Sequence, residues 1–306
     1  MHRALSIAVP VASTDQLLAE LEPLDAVVGL SVIRGASVKP PGDVIAAHVL
    51  NDGADEVLRR VEALCPHFSV VTSEVSAILD PEAHDRVLRD VDEALWEEIE
   101  AGLRHQIRVT PNFLALMALG GVLAAIGMVS GGTPQALAFV AASIISPGFE
   151  PIAKIGLGLV LRQPAALKLG AQAVGAGYVV FILTAGLTFL LLRWTGAATV
   201  GDFTGNAELA RLAEPTAAEV LFSVAGALAG AVIMSAYRRS VIAGALVALV
   251  LIPAAATVGM ALTLGRLDLA AEGLERFALD ALLVVGLCSL VFGIKQVAVH
   301  RRGPLL

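Results

Sequence analysis

The stretch from Ala138 to Leu161, AFVAASIISPGFEPIAKIGLGLVL, is long and apolar enough to enter a bilayer, yet Pro147, Gly148 and Pro151 break it near the middle. Glu150 and Lys154 follow the break, four residues apart, in otherwise apolar surroundings. A charge at bilayer depth is costly, and prolines free backbone carbonyls that lipid cannot satisfy. The segment must therefore be enclosed by protein or face a water-filled cavity. The rest of the chain is read around it.

Of the 49 Asp, Glu, Lys and Arg residues, 28 lie within Met1 to Asn112, and none falls between Arg108 and Glu150. The front third thus reads as a soluble domain and the remainder as a bundle of membrane spans. The first part carries 19 acids against 9 bases and the second 9 against 12, which argues against nucleic acid as a partner and against docking of the soluble part on anionic lipid. Cys65 and Cys288 fall in different parts and suit neither a disulfide framework nor a metal cluster. The opening MHRALSIAVPVAS has the basic residue and apolar run of a signal peptide, but Pro10 cuts the run short and an opening strand fits better.

Within residues 1–80 the pattern predicts a strand over Leu5 to Val11, a helix over Ser13 to Leu21, strands over Val27 to Ile33 and Val44 to Leu50, a helix from Asn51 or Asp52 to Leu64, and a fourth strand from Phe68. Strand, helix, strand, strand, helix, strand is the split βαβ, ferredoxin-like order, an α+β domain with helices on one face of an antiparallel sheet. Residues 81–110 form a linker in which Leu88, Val91, Leu95, Ile99 and Leu103 recur at helical spacing, predicting one acidic amphipathic helix from Pro81 to Ile107. That helix packs on the sheet of its own domain, packs under the membrane part, or makes a subunit contact.

Residues 111–302 read as an α-helical polytopic membrane domain with about six spans, near 113–130, 134–161, 169–193, 217–237, 241–264 and 277–299, the fifth interrupted at Pro253. The basic residues Arg104, Arg108, Arg162, Lys168, Arg238, Arg239, Lys295, Arg301 and Arg302 all fall on one side of such a bundle. Both termini are therefore expected to be cytoplasmic, in a cell (inner) membrane. Two segments, ALAFVAASIISPGFEPIAKIGLGLVLRQ and SVIAGALVALVLIPAAATVGMALTLGRL, share a proline, then glycines, then Arg. With three spans per unit they would be inverted repeats with a broken helix in each, as in secondary transporters. Small-residue pairs such as Gly120 with Ala124, Gly121 with Ala125, Ala171 with Gly175 and Gly226 with Gly230 predict close helix packing within the bundle or a homo-oligomer.

The run SIISPGFEPIAKIGLGLVL and the later VALVLIPAAATVGMALTLGRLDLA resemble a bacterial and archaeal family of hydrophobic membrane proteins catalogued as domain-of-unknown-function family 389, over most of Phe113 to Val299. The resemblance implies the polytopic architecture and no reaction. Two departures stand out: Phe149, Glu150 and Lys154 follow the first proline where many members are apolar or glycine-rich, and Asp280 stands where many carry an amide.

The candidate substrate- or ion-binding residues are Ser143, Ser146, Pro147, Gly148, Glu150 and Lys154 around the first proline, with Pro253 and Asp280 in the second half. Hydroxyls and carbonyls freed by proline can coordinate a cation or polar solute, and a half-helix amino end attracts an anion. Glu150 and Lys154 are spaced to meet on one helix face, so they are either a neutralised structural lock or a working charge pair. Asp280 has an alternative role as an interfacial acid near Arg276. A transporter of a small solute or ion accounts for these features together; a channel and a non-transporting sensor or scaffold are the alternatives. No enzyme, cofactor or metal is expected: all six His residues lie outside the spans, and GxSxG, HExxH and CxxC motifs are missing from the sequence.

Overall fold

The computed structural model describes residues 2–213, 215–236, 241–300 and 302–304, with the backbone only for 241–249. The chain divides into two compact units, and the boundary after the first falls inside a helix, between Glu98 and Ile99.

The first unit contains β1 (His2–Val9), α1 (Val11–Leu21), β2 (Val27–Val38), β3 (Pro41–Val49), α2 (Ala54–Leu64) and β4 (Ser69–Val75). The sheet order is β2-β3-β1-β4 with every pairing antiparallel. This is the split βαβ arrangement read from the strand and helix order. Alternation fixes which face is buried: Leu5, Ile7 and Val9 of β1 and Ile45, Ala47 and Val49 of β3 point into one core with Leu17 and Leu21 of α1 and Val57, Leu58 and Val61 of α2. Strand β2 runs five residues past its expected end, because the KPPGD turn is tight enough for Val38 to pair with Pro41.

The linker departs from the expected single helix. It forms a short α3 (His84–Leu88), an irregular stretch, and α4 (Trp96–Gln106). Leu88 is 70% exposed and Val91 43%, whereas Leu95, Trp96, Ile99 and Leu103 are buried. Side chains from β1 and the turn after β3 capture the backbone between the two helices. Arg3 donates to the Glu93 carbonyl at 2.7 Å, Asn51 Nδ2 to the Val91 carbonyl at 2.6 Å, and Asp90 accepts from the Asn51 N–H at 3.0 Å. Those bonds compete with the helical ladder and win. The segment from His300 also belongs to this unit: His300 stacks on Trp96 at 4.5 Å and bonds to Asp55, and Arg302 grips Glu97 at 2.7 and 2.8 Å.

The second unit is helical: α5 (Pro111–Met128), α6 (Gly132–Ile145), α7 (Phe149–Val160), α8 (Pro164–Trp194), α9 (Val200–Thr204), α10 (Ala207–Ala213), α11 (Ala217–Ser235), α12 (Val241–Thr263) and α13 (Leu267–Lys295), the last continued by a π-helical turn to His300. Among the described residues four helices are long and apolar enough to cross a membrane, or five if the bent pair α6–α7 counts as one span. Helices of this length and composition are compatible with a membrane protein. Two helices start earlier than expected: Pro164 at the first position of α8 is pre-set for a helix, and RLDLAAEGLER is helical from Leu267.

Glycines set the close approaches. A Cβ at Gly121 would lie 2.4 Å from the Phe181 carbonyl, and one at Gly177 3.0 Å from the Phe113 ring, so α5 and α8 run side by side in parallel. A Cβ at Gly259 would fall 2.0 Å from the Ile182 carbonyl, and one at Gly186 3.0 Å from Thr263, which places α12 parallel to α8 with backbones touching. Gly230 faces the Phe149 ring. By contrast Ala171 and Gly175 are exposed, and a Cβ at Gly175 meets nothing. The α7–α8 turn is closed by Arg162 in the left-handed region (φ 54°), with Gln163 N–H bonded to the Gly158 carbonyl at 2.9 Å. The polar interval after α8 has a structural task as well: Asn206 donates to the Met128 and Ser130 carbonyls at 3.0 and 2.9 Å, capping α5.

Candidate functional site

The break between α6 and α7 bends the chain by 50°. Ser146 precedes proline and is forced out of the helical region (φ −82°, ψ 121°). Gly148 then turns back, its N–H bonded to the Ser146 carbonyl at 2.8 Å. Pro151 follows in the first turn of α7, where its missing N–H removes no intrahelical bond. Gly148 is required by a close approach, since a Cβ there would meet Tyr178 Oη at 2.6 Å. The Tyr178 hydroxyl donates instead to the Gly148 carbonyl at 3.3 Å, and its ring meets Phe277 of α13 edge-on at 4.5 Å.

Four of the expected residues, Ser146, Pro147, Gly148 and Glu150, come together here. The Ser146 hydroxyl is buried against α5, where a Cβ on Gly120 would fall 1.7 Å from it, and it has no hydrogen-bond partner among the described residues. Its neighbour Ser143 is buried but satisfied within its own helix, donating to the Val140 carbonyl at 2.8 Å. Glu150, half-buried in the first turn of α7, makes no ion pair among the described residues. A carboxylate there faces the positive end of the helix dipole.

The i, i+4 pairing of Glu150 with Lys154 is not formed. Lys154, fully buried, places Nζ 2.6 Å from Glu100 Oε1 and 3.3 Å from the Glu100 carbonyl. Glu100 is held from its other side by Arg104, one turn along α4, with Nε 3.0 Å from Oε2. Burial opposes ionisation of Glu100, but the Arg104 and Lys154 cations outweigh it and hold the carboxyl below its ordinary 4.5. Spacing within one helix permits a pair; here a partner from another helix, with better hydrogen-bonding geometry, takes the lysine.

The second half of the expected site is arranged differently. Pro253 lies inside α12, which continues unbroken from Val241 to Thr263, so the fifth span is not interrupted. Where Ser-Pro-Gly opens the chain at Pro147, Ile-Pro-Ala at Pro253 stays within the helix, and Gly259 further along packs α12 against α8. Asp280 is buried and bonded to Arg276 Nε at 2.7 Å, the role of an acid paired with its neighbour one turn back. Arg238, Arg239 and Arg301, used for orientation, lie outside the described residues.

Glu100, Tyr178, Gly120 and Arg276 are the site residues that sequence reasoning missed. The Glu100–Arg104 and Arg276–Asp280 spacings were visible signals; nothing in the sequence links Glu100 to Lys154 or Gly120 to Ser146. No metal-binding group of His, Cys, Asp and Glu occurs among the described residues.

Neither a curated protein nor a solved structure matches the chain. Residues 143–286, from the serine before the break to the middle of α13, match the family described as domain of unknown function (DUF389). The matched stretch has the α6–α7 break at its start and Arg276 and Asp280 near its end, so it is this part of the helical unit that is similar to the family.

Proposed function

We propose that this protein is a non-enzymatic transporter of a small solute or ion, with its site at the α6–α7 break and the N-terminal domain regulating it from the cytoplasmic side. The observation that carries this reading is the buried hydroxyl of Ser146, without a hydrogen-bond partner among the described residues, beside the half-helix amino end that bears Glu150. A span opened at Ser-Pro-Gly exposes backbone groups that an ion or polar solute can use, and transporters place such breaks at their sites. In this reading α5, α6–α7 and α8 form one three-span unit and α11, α12 and α13 its inverted counterpart, six spans in all, with α12 the unbroken equivalent of the bent pair. Arg104, Arg108, Arg162, Lys168 and Lys295 then face the cytoplasm together.

The test is flux of protons and monovalent cations in proteoliposomes of the purified chain. Glu150→Gln and Ser146→Ala are expected to abolish or strongly reduce pH-driven flux while leaving the melting temperature unchanged. Wild-type vesicles no leakier than empty ones, or variants that transport as well as wild type, would refute it. A sensor or scaffold is the second reading, favoured by the Lys154–Glu100–Arg104 network, which fastens the broken helix to α4; absence of flux together with a large stability loss on breaking that network would select it.

A further inference from the structure

A second polar site lies away from the break, in a cavity of about 400 Å³ formed by α10, α11, α12 and α13. Glu208, Arg211, Glu219 and Arg276 supply its charged groups, and Leu212, Phe222 and Val250 its apolar wall. Three of these groups engage one another. Arg211 sits between Glu208 at 3.3 Å and Glu219 at 3.7 Å, and Glu219 caps α11 by accepting from the Thr216 N–H at 2.8 Å. Arg276 is different. It is 8% exposed, and its Nε is committed to Asp280 at 2.7 Å, while its terminal nitrogens have no acceptor among the described residues. A guanidinium presents five N–H donors in a fixed plane, so fixing Nε aims the terminal pair without satisfying it.

Glu208 is half engaged: its Oε2 pairs with Arg211 at 3.3 Å, and its Oε1 accepts no hydrogen bond among the described residues. The charges of Arg276 and Glu208 act on each other, yet the two side chains do not form an ion pair. Both line the one cavity, together with the apolar Leu212, Phe222 and Val250, and its volume lies within the range of small-molecule sites.

We propose that this cavity binds a zwitterion, its anionic end on the terminal nitrogens of Arg276, its ammonium at Glu208 and its apolar body against Leu212 and Phe222. A free α-amino acid with an aliphatic side chain and a lipid ethanolamine headgroup share this chemistry. The site is separate from the break, and its occupancy does not depend on the transport reading.

The experiment is calorimetric titration of the full chain, purified in detergent without ethanolamine lipid, using leucine, N-acetyl-leucine, leucinamide and glycerophosphoethanolamine as probes. Leucine is expected to bind, and its two singly charged analogues to bind at least about tenfold more weakly. Arg276→Lys and Glu208→Gln should each weaken leucine by at least about tenfold, because neither preserves both charged contacts. Glu150→Gln should leave the titration unchanged even if it abolishes flux. Binding of glycerophosphoethanolamine with none of leucine would support the site and identify a lipid as the source. No heat with either zwitterion, equal binding of N-acetyl-leucine, or full affinity in Glu208→Gln would overturn it. Should Arg276→Lys fail to fold, Glu208→Gln, on the short peripheral helix α10, decides the matter.

Discussion

Breaking the Lys154–Glu100 contact should destabilise the helical unit asymmetrically, depending on which partner is removed. At 2.6 Å and an effective dielectric of about 20, the attraction between the two charges is about 6 kcal/mol before desolvation is subtracted. Truncating one member of a buried pair costs about 3–5 kcal/mol, most of it the expense of the charge left behind. In Glu100→Gln the charge left behind is Lys154, fully buried, with the residue-100 carbonyl at 3.3 Å and a neutral amide in place of the carboxylate. In Lys154→Met it is Glu100, buried with its side chain 9% exposed, which keeps the half-exposed Arg104 (48%) as a partner. We expect Glu100→Gln to cost about 3–4 kcal/mol and Lys154→Met about 1–2 kcal/mol. The double variant should be no worse than Glu100→Gln, giving a coupling of about 2 kcal/mol. Unfolding by sodium dodecyl sulfate in mixed micelles, run as a double-mutant cycle, measures all three. A larger loss for Lys154→Met than for Glu100→Gln, or coupling below about 0.5 kcal/mol, would refute the reasoning.

Further outcomes follow from the same geometry. Gly259→Ala should cost about 3 kcal/mol, since its Cβ would lie 2.0 Å from a backbone carbonyl that cannot move aside; Gly175→Ala, where a Cβ meets nothing, should be neutral or stabilise by up to about 1 kcal/mol, both read by thermal melting. Arg302→Ala should loosen the first unit by about 2–3 kcal/mol, because Arg302 joins Glu97 and Asp55, whose side chains are 16% and 18% exposed. With Trp194 replaced by Phe, the emission of Trp96 reports that opening as a red shift. Acid should destabilise both units: Asp55 and Glu100 have folded-state values below their ordinary 3.8 and 4.5. Their stabilisation is complete above those values and is lost as pH falls through them toward the lower folded ones. Melting at successive pH values should therefore show a decline from these groups below about pH 4.5 and none between pH 5 and 7.

Much of the architecture was legible in the chain because the forces that set it are local or periodic. Alternating apolar residues in β1 and β3, proline and glycine punctuation, and apolar runs of bilayer length specify the order of elements wherever tertiary context agrees with them. The break at Ser-Pro-Gly was likewise visible, since the restriction before proline acts within one dipeptide. Where another element competes, the local reading gave way. The linker helix is divided because Arg3 and Asn51, remote in sequence, take its carbonyls.

Composition and periodicity placed a small α+β domain before a membrane bundle and a kinked span at Pro147. They could not decide that Pro253 stays within a continuous helix, that Lys154 turns to Glu100, or that Arg276 and Glu208 face a common cavity. Backbone preference extends over a few residues, whereas a buried charge takes whichever partner the packed helices bring within about 3 Å, and that proximity exists only after the chain has folded.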